Sequence, residues 1–147
     1  MIYQLSDYVR TNLTFPNDSE GFAFDVQNQF IVGGFLPDDP IDVVVLRENQ
    51  GLPVGDMQDR QEIPVQFLAR GETHGRARDL IFTIYNADCF STALPDGRRF
   101  KGRNDFYFAS GGYRIASFKF AQSPYDLGAD SGGYVYTLNA MVIFGNI

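Results

Sequence analysis

The segment from Glu62 to Ala93 constrains the fold most, because a strand pattern passes there directly into a helix pattern. From Ile63 to Arg70 apolar and polar side chains alternate, which is the period of a strand with one buried face. After Gly71 the apolar residues recur every three or four positions, which places them on one face of a helix. These residues are Ala77, Leu80, Ile81, Ile84 and Tyr85. The spacing predicts a long helix from about Thr73 to Phe90.

The first half of the chain predicts a short helix and a hairpin. Residues 2–13 follow helical spacing, so an amphipathic helix comes first. Ile41–Glu48 is apolar on both faces, which predicts an inner strand covered on both sides. It is expected to pair antiparallel with Ile63–Arg70. The connection Asn49–Gln61 is longer than a tight turn needs, and loops of that length are often functional.

The second half of the chain predicts another hairpin. Tyr113–Ala121 and Tyr134–Phe144 both alternate, and a glycine-rich turn separates them. We therefore predict one α+β domain over residues 1–147, with a mainly antiparallel sheet of about four strands in two hairpins. The long helix should pack on one face of the sheet. On the other face, the short helix or another subunit has to bury apolar side chains, namely those of Val44, Leu46 and Leu68.

Composition narrows the class of protein. Hydrophobic residues make up 44% and charged residues 20% of the 147 positions, as in ordinary globular proteins. The net charge of −6 argues against a general nucleic-acid binder or a membrane-surface protein. The N-terminus lacks a secretory signal pattern, and no apolar run approaches the roughly 18–20 residues of a membrane span. The sequence predicts a soluble and, most simply, cytoplasmic protein.

Catalytic residue patterns are scarce, so we predict that the protein is not an enzyme and carries no cofactor or metal. His74 and Cys89 are single residues of their kinds, and zinc needs three or four clustered ligands. Fifteen helical positions would separate these two side chains by roughly 22 Å, too far for a catalytic pair. His74 is expected at the exposed start of the helix. Cys89 is expected to be a small buried residue.

Three further patterns have simple structural interpretations. The carboxylate pairs Asp38–Asp39 and Asp56–Asp59 lie in turn-rich loops without calcium-loop spacing, so a hydrolase built on them is a remote alternative. The paired glycines match no phosphate-binding or dinucleotide-binding motif. The only basic cluster, Arg98–Arg103, is expected to meet carboxylates of a neighbouring subunit, because four cations are a weak nucleic-acid footprint here.

The order of the motifs resembles a known protein family. The motifs are Phe35-Leu-Pro-Asp-Asp-Pro40, Ile63–Arg70, the helix Ala77–Tyr85, Ser123-Pro-Tyr-Asp-Leu-Gly128, and then Asp130, Gly132, Tyr136 and Asn139. Together they resemble the minor capsid or tail terminator proteins of long-tailed bacteriophages over most of residues 30–145. The chain departs from that pattern in its glycine-rich helix start, Gly71–Gly75, and in the basic Arg98–Arg103.

The resemblance implies a structural virion protein at the tail neck. Such a protein forms a ring, commonly a hexamer, on the last ring of the tail tube, stops tube polymerisation and docks to the head connector or head-completion protein. Its partners would be copies of itself, the tail tube protein and the connector; DNA would pass through without specific binding, and no membrane is involved. The residues expected at protein interfaces are Glu48, Asp56, Asp59, Arg60, Arg76, Asp79, Arg98, Arg99, Lys101 and Arg103. The loop 49–61 is expected to contact the tail tube or a neighbouring subunit.

A second hypothesis comes from a different class of function. The aromatic strands and Arg98–Arg103 would form the platform of a small module that binds a ligand or a single-stranded nucleic acid. A tight monomer with steeply salt-dependent oligonucleotide binding would favour this alternative over a ring.

Overall fold

A computed structural model of the chain describes residues 2–15, 23–48, 60–101, 103–107, 113–130 and 132–146. The helices are α1 (Ile2–Asn12), α2 (Val26–Gln29) and α3 (His74–Tyr85), followed by a 3-10 turn at Asp88–Phe90. The strands are β1 (Phe30–Val32), β2 (Val43–Glu48), β3 (Arg60–Gly71), β4 (Ser91–Ala93), β5 (Arg99–Lys101), β6 (Arg103–Tyr107), β7 (Tyr113–Phe120), β8 (Tyr125–Asp130) and β9 (Gly133–Asn146). The α+β class is confirmed.

The described residues form a seven-stranded mixed sheet, so the prediction of about four strands was too low. The strand order is β1-β2-β3-β9-β7-β6, with β8 also paired to β9, while β4 and β5 form a separate ribbon. Every pairing is antiparallel except that of β1 with β2. The predicted hairpin of β2 and β3 is confirmed. The additional strands are mostly three to six residues long, too short to give a clear alternation.

The second hairpin is longer than predicted because β7 and β8 follow one another along the same edge of β9. Phe120 pairs with Ala140 and Tyr125 pairs with Thr137, so four residues on one strand face two on the other. Such extra residues bend a strand and increase its twist. The region predicted to be only a turn therefore contains β8. The turn itself is reduced to the short connection between Asp130 and Gly133.

One face of the sheet carries the main core. Apolar side chains of β2, β3, β7 and β9 point to this face, and both α1 and α3 pack on it. Aromatic rings fill its centre: Phe90 stacks on Phe118 at 4.5 Å between ring centroids, and Phe67 contacts both Phe90 and Phe120. The long helix therefore covers one face, as predicted. Val44 and Leu46 point to this helix-covered face, so their predicted place on the other face was wrong.

The opposite face, called here the second face, is covered by the chain's own residues 33–42. Val43, Val45, Leu68 and Val135 form a small buried cluster there, against which Leu36 packs. The expectation that the short helix or another subunit buries this part of the sheet was wrong, because α1 lies beside α3. Further along the same strands the second face becomes polar. Arg47 donates to Gln66 at 2.6 Å, and Gln66 donates to Thr137 at 2.7 Å.

Helix α3 is shorter than the spacing predicts. It begins after Thr73, whose hydroxyl accepts the backbone N–H of Arg76, the usual arrangement of an N-cap. It ends at Tyr85, where the backbone N–H of Asn86 turns back to the carbonyls of Phe82 and Ile84. The apolar spacing continues to Phe90 because the 3-10 turn returns that ring to the same core.

Candidate interaction surfaces

The segment 33–42 is fixed to the second face by a buried cation. Arg70 lies on β3 and is only 1% exposed. Its guanidinium donates to three backbone carbonyls of the segment, those of Pro37, Pro40 and Ile41. Hydrogen bonds to a charged donor are stronger than neutral ones, so a single side chain holds the whole turn. Asp38 and Asp39 lie in a bend of this segment, and the Asp39–Pro40 peptide bond is cis.

This anchored segment presents an unburied aromatic residue. Phe35 is 87% exposed, the highest value among the large hydrophobic side chains that the structure describes. Gly33 and Gly34 precede it, and Asp38 and Asp39 follow it on the exposed side of the turn. The carbonyl of Gly34 accepts a hydrogen bond from Arg47 at 2.9 Å, so both sides of Phe35 are tied to the sheet. We call Phe35, Asp38 and Asp39 the loop surface.

A second exposed apolar surface lies on β8, also on the second face of the sheet. Tyr125 and Leu127 of β8 are 61% and 53% exposed. Tyr125 pairs with Thr137 and Lys119 pairs with Met141, so both side chains lie on the second face. Lys119 is exposed as well. We call Lys119, Tyr125 and Leu127 the strand surface. Three strand spacings, about 14 Å, separate β8 from β2.

Around Leu127 the strand β8 is held to the start of α3 on the opposite side. His74 Nε2 lies 2.9 Å from Asp126 Oδ2 and 2.8 Å from the Tyr136 hydroxyl. The other oxygen of Asp126 accepts the backbone N–H of Gly128 at 2.7 Å. Asp126 pairs with Tyr136 of the helix-covered face and so points toward the helix, whereas Leu127 is exposed at the bulge that follows.

The surroundings of Asp126 and Tyr136 decide which of these two groups carries a charge. The hydrogen bonds from His74 and from the Gly128 backbone lower the pKa of Asp126, so this carboxylate is charged near neutral pH. Burial raises the pKa of Tyr136, and the negative charge of Asp126 adds to that effect, so the phenol stays neutral. When His74 Nε2 carries a proton it donates to Asp126; when it does not, the Tyr136 hydroxyl donates to it.

The sequence did not identify this cluster. His74 was expected only as an exposed residue near a helix cap; it is the first residue of α3 and half-exposed, but it is also bound on both sides. Its partners Asp126 and Tyr136 are 52 and 62 positions away along the chain. No local spacing reports a contact of that kind. The ring of Tyr134 also lies against His74, at 5.8 Å between centroids.

The residues expected at interfaces are spread over several elements. Glu48 ends β2 and Asp79 lies on α3, both exposed, whereas Arg98 is exposed in the turn before β5. Arg60, Arg99, Lys101 and Arg103 occupy strands β3, β5 and β6, and Asp56 and Asp59 lie outside the described residues.

Two of the expected interface cations are bound within their own chain. Arg98 forms an ion pair with Asp96 at 2.6 Å. The guanidinium of Arg76 lies 3.2 Å from Glu72 and 3.7 Å from Asp42, and its side chain is largely buried. Asp42 also accepts the backbone N–H of Glu72, so this group joins the start of α3 to the chain before β2. Arg76 therefore has a structural role within its own chain, which its expected place at an interface did not predict.

Other chemistry expected from the sequence can be placed as follows. Burial raises the pKa of Cys89 to about 11, so this thiol is protonated at neutral pH. Within the described ranges, no three His, Cys, Asp or Glu side chains are grouped so as to hold a metal ion. None of the described helices is long and apolar enough to cross a bilayer. Comparison of the sequence with models of protein families and with curated proteins gave no match.

Proposed function

We propose that this chain is the subunit of a head-to-tail ring, and that the ring is a tail terminator of a long-tailed bacteriophage. The observation that carries the proposal is the pair of unlike, separated apolar surfaces on one subunit. Phe35 is held out on the anchored turn at one side of the second face, and Tyr125 and Leu127 lie exposed on β8 at the other.

Cyclic assembly explains why two different surfaces are needed. In a ring each subunit contacts one neighbour through one surface and the next neighbour through another, so the contacts are heterologous. A two-fold dimer needs only one self-complementary surface. Exposed aromatic side chains such as those of Phe35 and Tyr125 are among the groups that anchor such contacts. The motif order from Phe35 to Asn139 supports the more specific assignment to tail terminators.

The proposed ring, a hexamer, caps the tail tube at the neck of the virion. One rim of the ring binds the tail tube protein and ends its polymerisation, and the other binds the head connector. The net charge of −6 suits a channel for DNA, because a negatively charged wall does not bind the negatively charged phosphates that pass it. In this role the chain has no catalytic residues.

Deletion of the gene from the phage that encodes it tests the proposal. The expected result is tails of uncontrolled length, or tails and filled heads that stay unjoined, as seen by negative-stain electron microscopy. Supplying the wild-type chain from a plasmid should restore tail length and joining. Normal virions from the deletion strain would overturn the proposal.

The nucleic-acid-binding alternative has less support. A stacking platform needs exposed aromatic faces. Phe118, Phe120 and Tyr136 are buried in the core, which leaves Tyr125 and Tyr134 as the exposed aromatic residues among the described strand positions. Arg98 is already paired with Asp96. Absence of salt-dependent oligonucleotide binding would separate the two functions directly.

A further inference from the structure

We propose that the loop surface of one subunit binds the strand surface of the next copy, so that Phe35 packs against Tyr125 and Leu127. The inference rests on the proposed ring and names its contact. It uses the two apolar surfaces that are left uncovered at opposite sides of the second face.

The covering of the second face within one chain suggests how the contact forms. The segment 33–42 buries the apolar cluster of β2, β3 and β9. Its cover does not extend to β8, the strand that pairs with β9. Tyr125 and Leu127 on β8 thus extend the same face but stay exposed. The equivalent segment of a second copy, laid against β8, would continue the same covering across the subunit boundary.

Charge complementarity selects this pairing over contact between like surfaces. The loop surface carries two exposed carboxylates, Asp38 and Asp39, and the strand surface carries the exposed ammonium of Lys119. Asp126, the carboxylate in the middle of β8, points away from the strand surface and is bound to His74. The other acidic residue of β8, Asp130, is the last residue of that strand. In the proposed contact, the carboxylates of the loop surface therefore face Lys119.

The geometry also disfavours simple strand addition at β8. The backbone N–H of Gly128 is already satisfied by Asp126, and the bulge at this point twists the edge. Bulges of this kind keep sheet edges from pairing with other chains. The exposed side chains of Tyr125 and Leu127, rather than backbone groups of β8, are therefore the expected contacts.

Mixing two variants gives a sharp test by sedimentation velocity. Phe35→Ser removes the loop contact but leaves the strand surface intact, and Leu127→Ser does the reverse. Each variant alone should lose at least about tenfold in self-association affinity. Mixed together they should form a heterodimer that grows no further, because one competent contact remains between them. Tyr3→Ser, which alters an exposed aromatic on α1, is the matched control and should assemble like wild type.

Charge reversal tests the orientation of the contact. Lys119→Glu should weaken assembly by about two- to fivefold, the range of one exposed ion pair. Combining it with Asp38→Lys and Asp39→Lys should restore most of the affinity, which a merely misfolded variant would not show. Circular dichroism checks that each variant keeps its fold.

Three results would overturn the inference. These are a wild-type chain that stays monomeric up to millimolar concentration, assembly that neither Phe35→Ser nor Leu127→Ser alters, and a mixture that gives no heterodimer. The second of these results, a ring that both variants still form, would overturn only the proposed contact between the loop surface and the strand surface. The tail assay would still support the ring, so the two failures are distinguishable.

Discussion

The two faces of the sheet are closed in different ways. The helix-covered face buries a continuous set of apolar side chains and clustered aromatic rings beneath α1 and α3. The second face buries a cluster of four apolar residues among the described strands, and the cover over them is held by three hydrogen bonds from Arg70. Hydrophobic burial is non-directional and scales with area, whereas a hydrogen-bonded cover depends on a few exact partners. The helix-covered face therefore stabilises the fold, and the second face holds the loop surface in position.

The largest expected effect compares neighbouring residues on the two faces. Phe67→Ala should cost about 3–5 kcal/mol, because it removes a ring packed against Phe30, Phe90 and Phe120. Leu68→Ala should cost about 2 kcal/mol, since its cluster is small and lies under a thin cover. Urea unfolding of each variant measures both. Equal losses would contradict the distinction between the faces.

Removing the buried cation should affect the second face selectively. Arg70→Met keeps much of the side-chain length but leaves the carbonyls of Pro37, Pro40 and Ile41 without this donor, so we expect a loss of about 3 kcal/mol. Hydrogen exchange should rise first in residues 33–42. Protection of α3 that fell equally would show that the cover is not a separate unit.

The junction between β3 and α3 tests how closely the end of the strand packs against the start of the helix. A Cβ at Gly71 would lie 2.5 Å from the backbone nitrogen of Ala77, so Gly71→Ala should cost about 1–3 kcal/mol. Gly75→Ala, four residues later, is the control because its Cβ would meet no atom within 4 Å. In α3 that change should stabilise the fold by about 0.5–1 kcal/mol. Opposite signs for the two substitutions are the expected result of thermal unfolding.

The smallest effect is expected at the half-exposed pair of His74 on α3 and Asp126 on β8. The pKa of Asp126 is lowered in the folded state, so its stabilisation is present above the ordinary Asp value near 3.9 and is lost as pH falls through the lowered pKa. Asp126→Asn should therefore destabilise the protein at pH 6, with a difference from wild type that disappears under more acidic conditions.

A second variant at this pair supplies the control. His74→Gln removes the main cause of the lowered pKa, so adding Asp126→Asn to it should have a smaller effect than in wild type. Unfolding curves between pH 2.5 and pH 6 measure both differences, using roughly the range set by ordinary carboxyl values. A pH-independent cost of Asp126→Asn would contradict the assignment.

Local patterns predicted those elements whose one apolar face is long enough to repeat. The strand from Ile63 to Arg70, the helix after Thr73 and the terminal strand were all found near their predicted positions. The strand β8 was missed, because six residues carry little periodic signal and a bulge interrupts them. Arg70 was read as one of the polar positions of its strand, since alternation separates two faces but does not say which face is covered.

The amino-acid sequence by itself determined that residues 62–85 are a strand running into a helix and that this pair belongs to an α+β fold, because the changing hydrophobic period is a local property. Only the tertiary structure decided which polar residues are buried or paired. It placed Arg70 under residues 33–42 and brought His74 to Asp126 and Tyr136. These contacts join positions 29 to 62 residues apart, and the free energy of burying or pairing a charge depends on neighbours that sequence spacing does not specify.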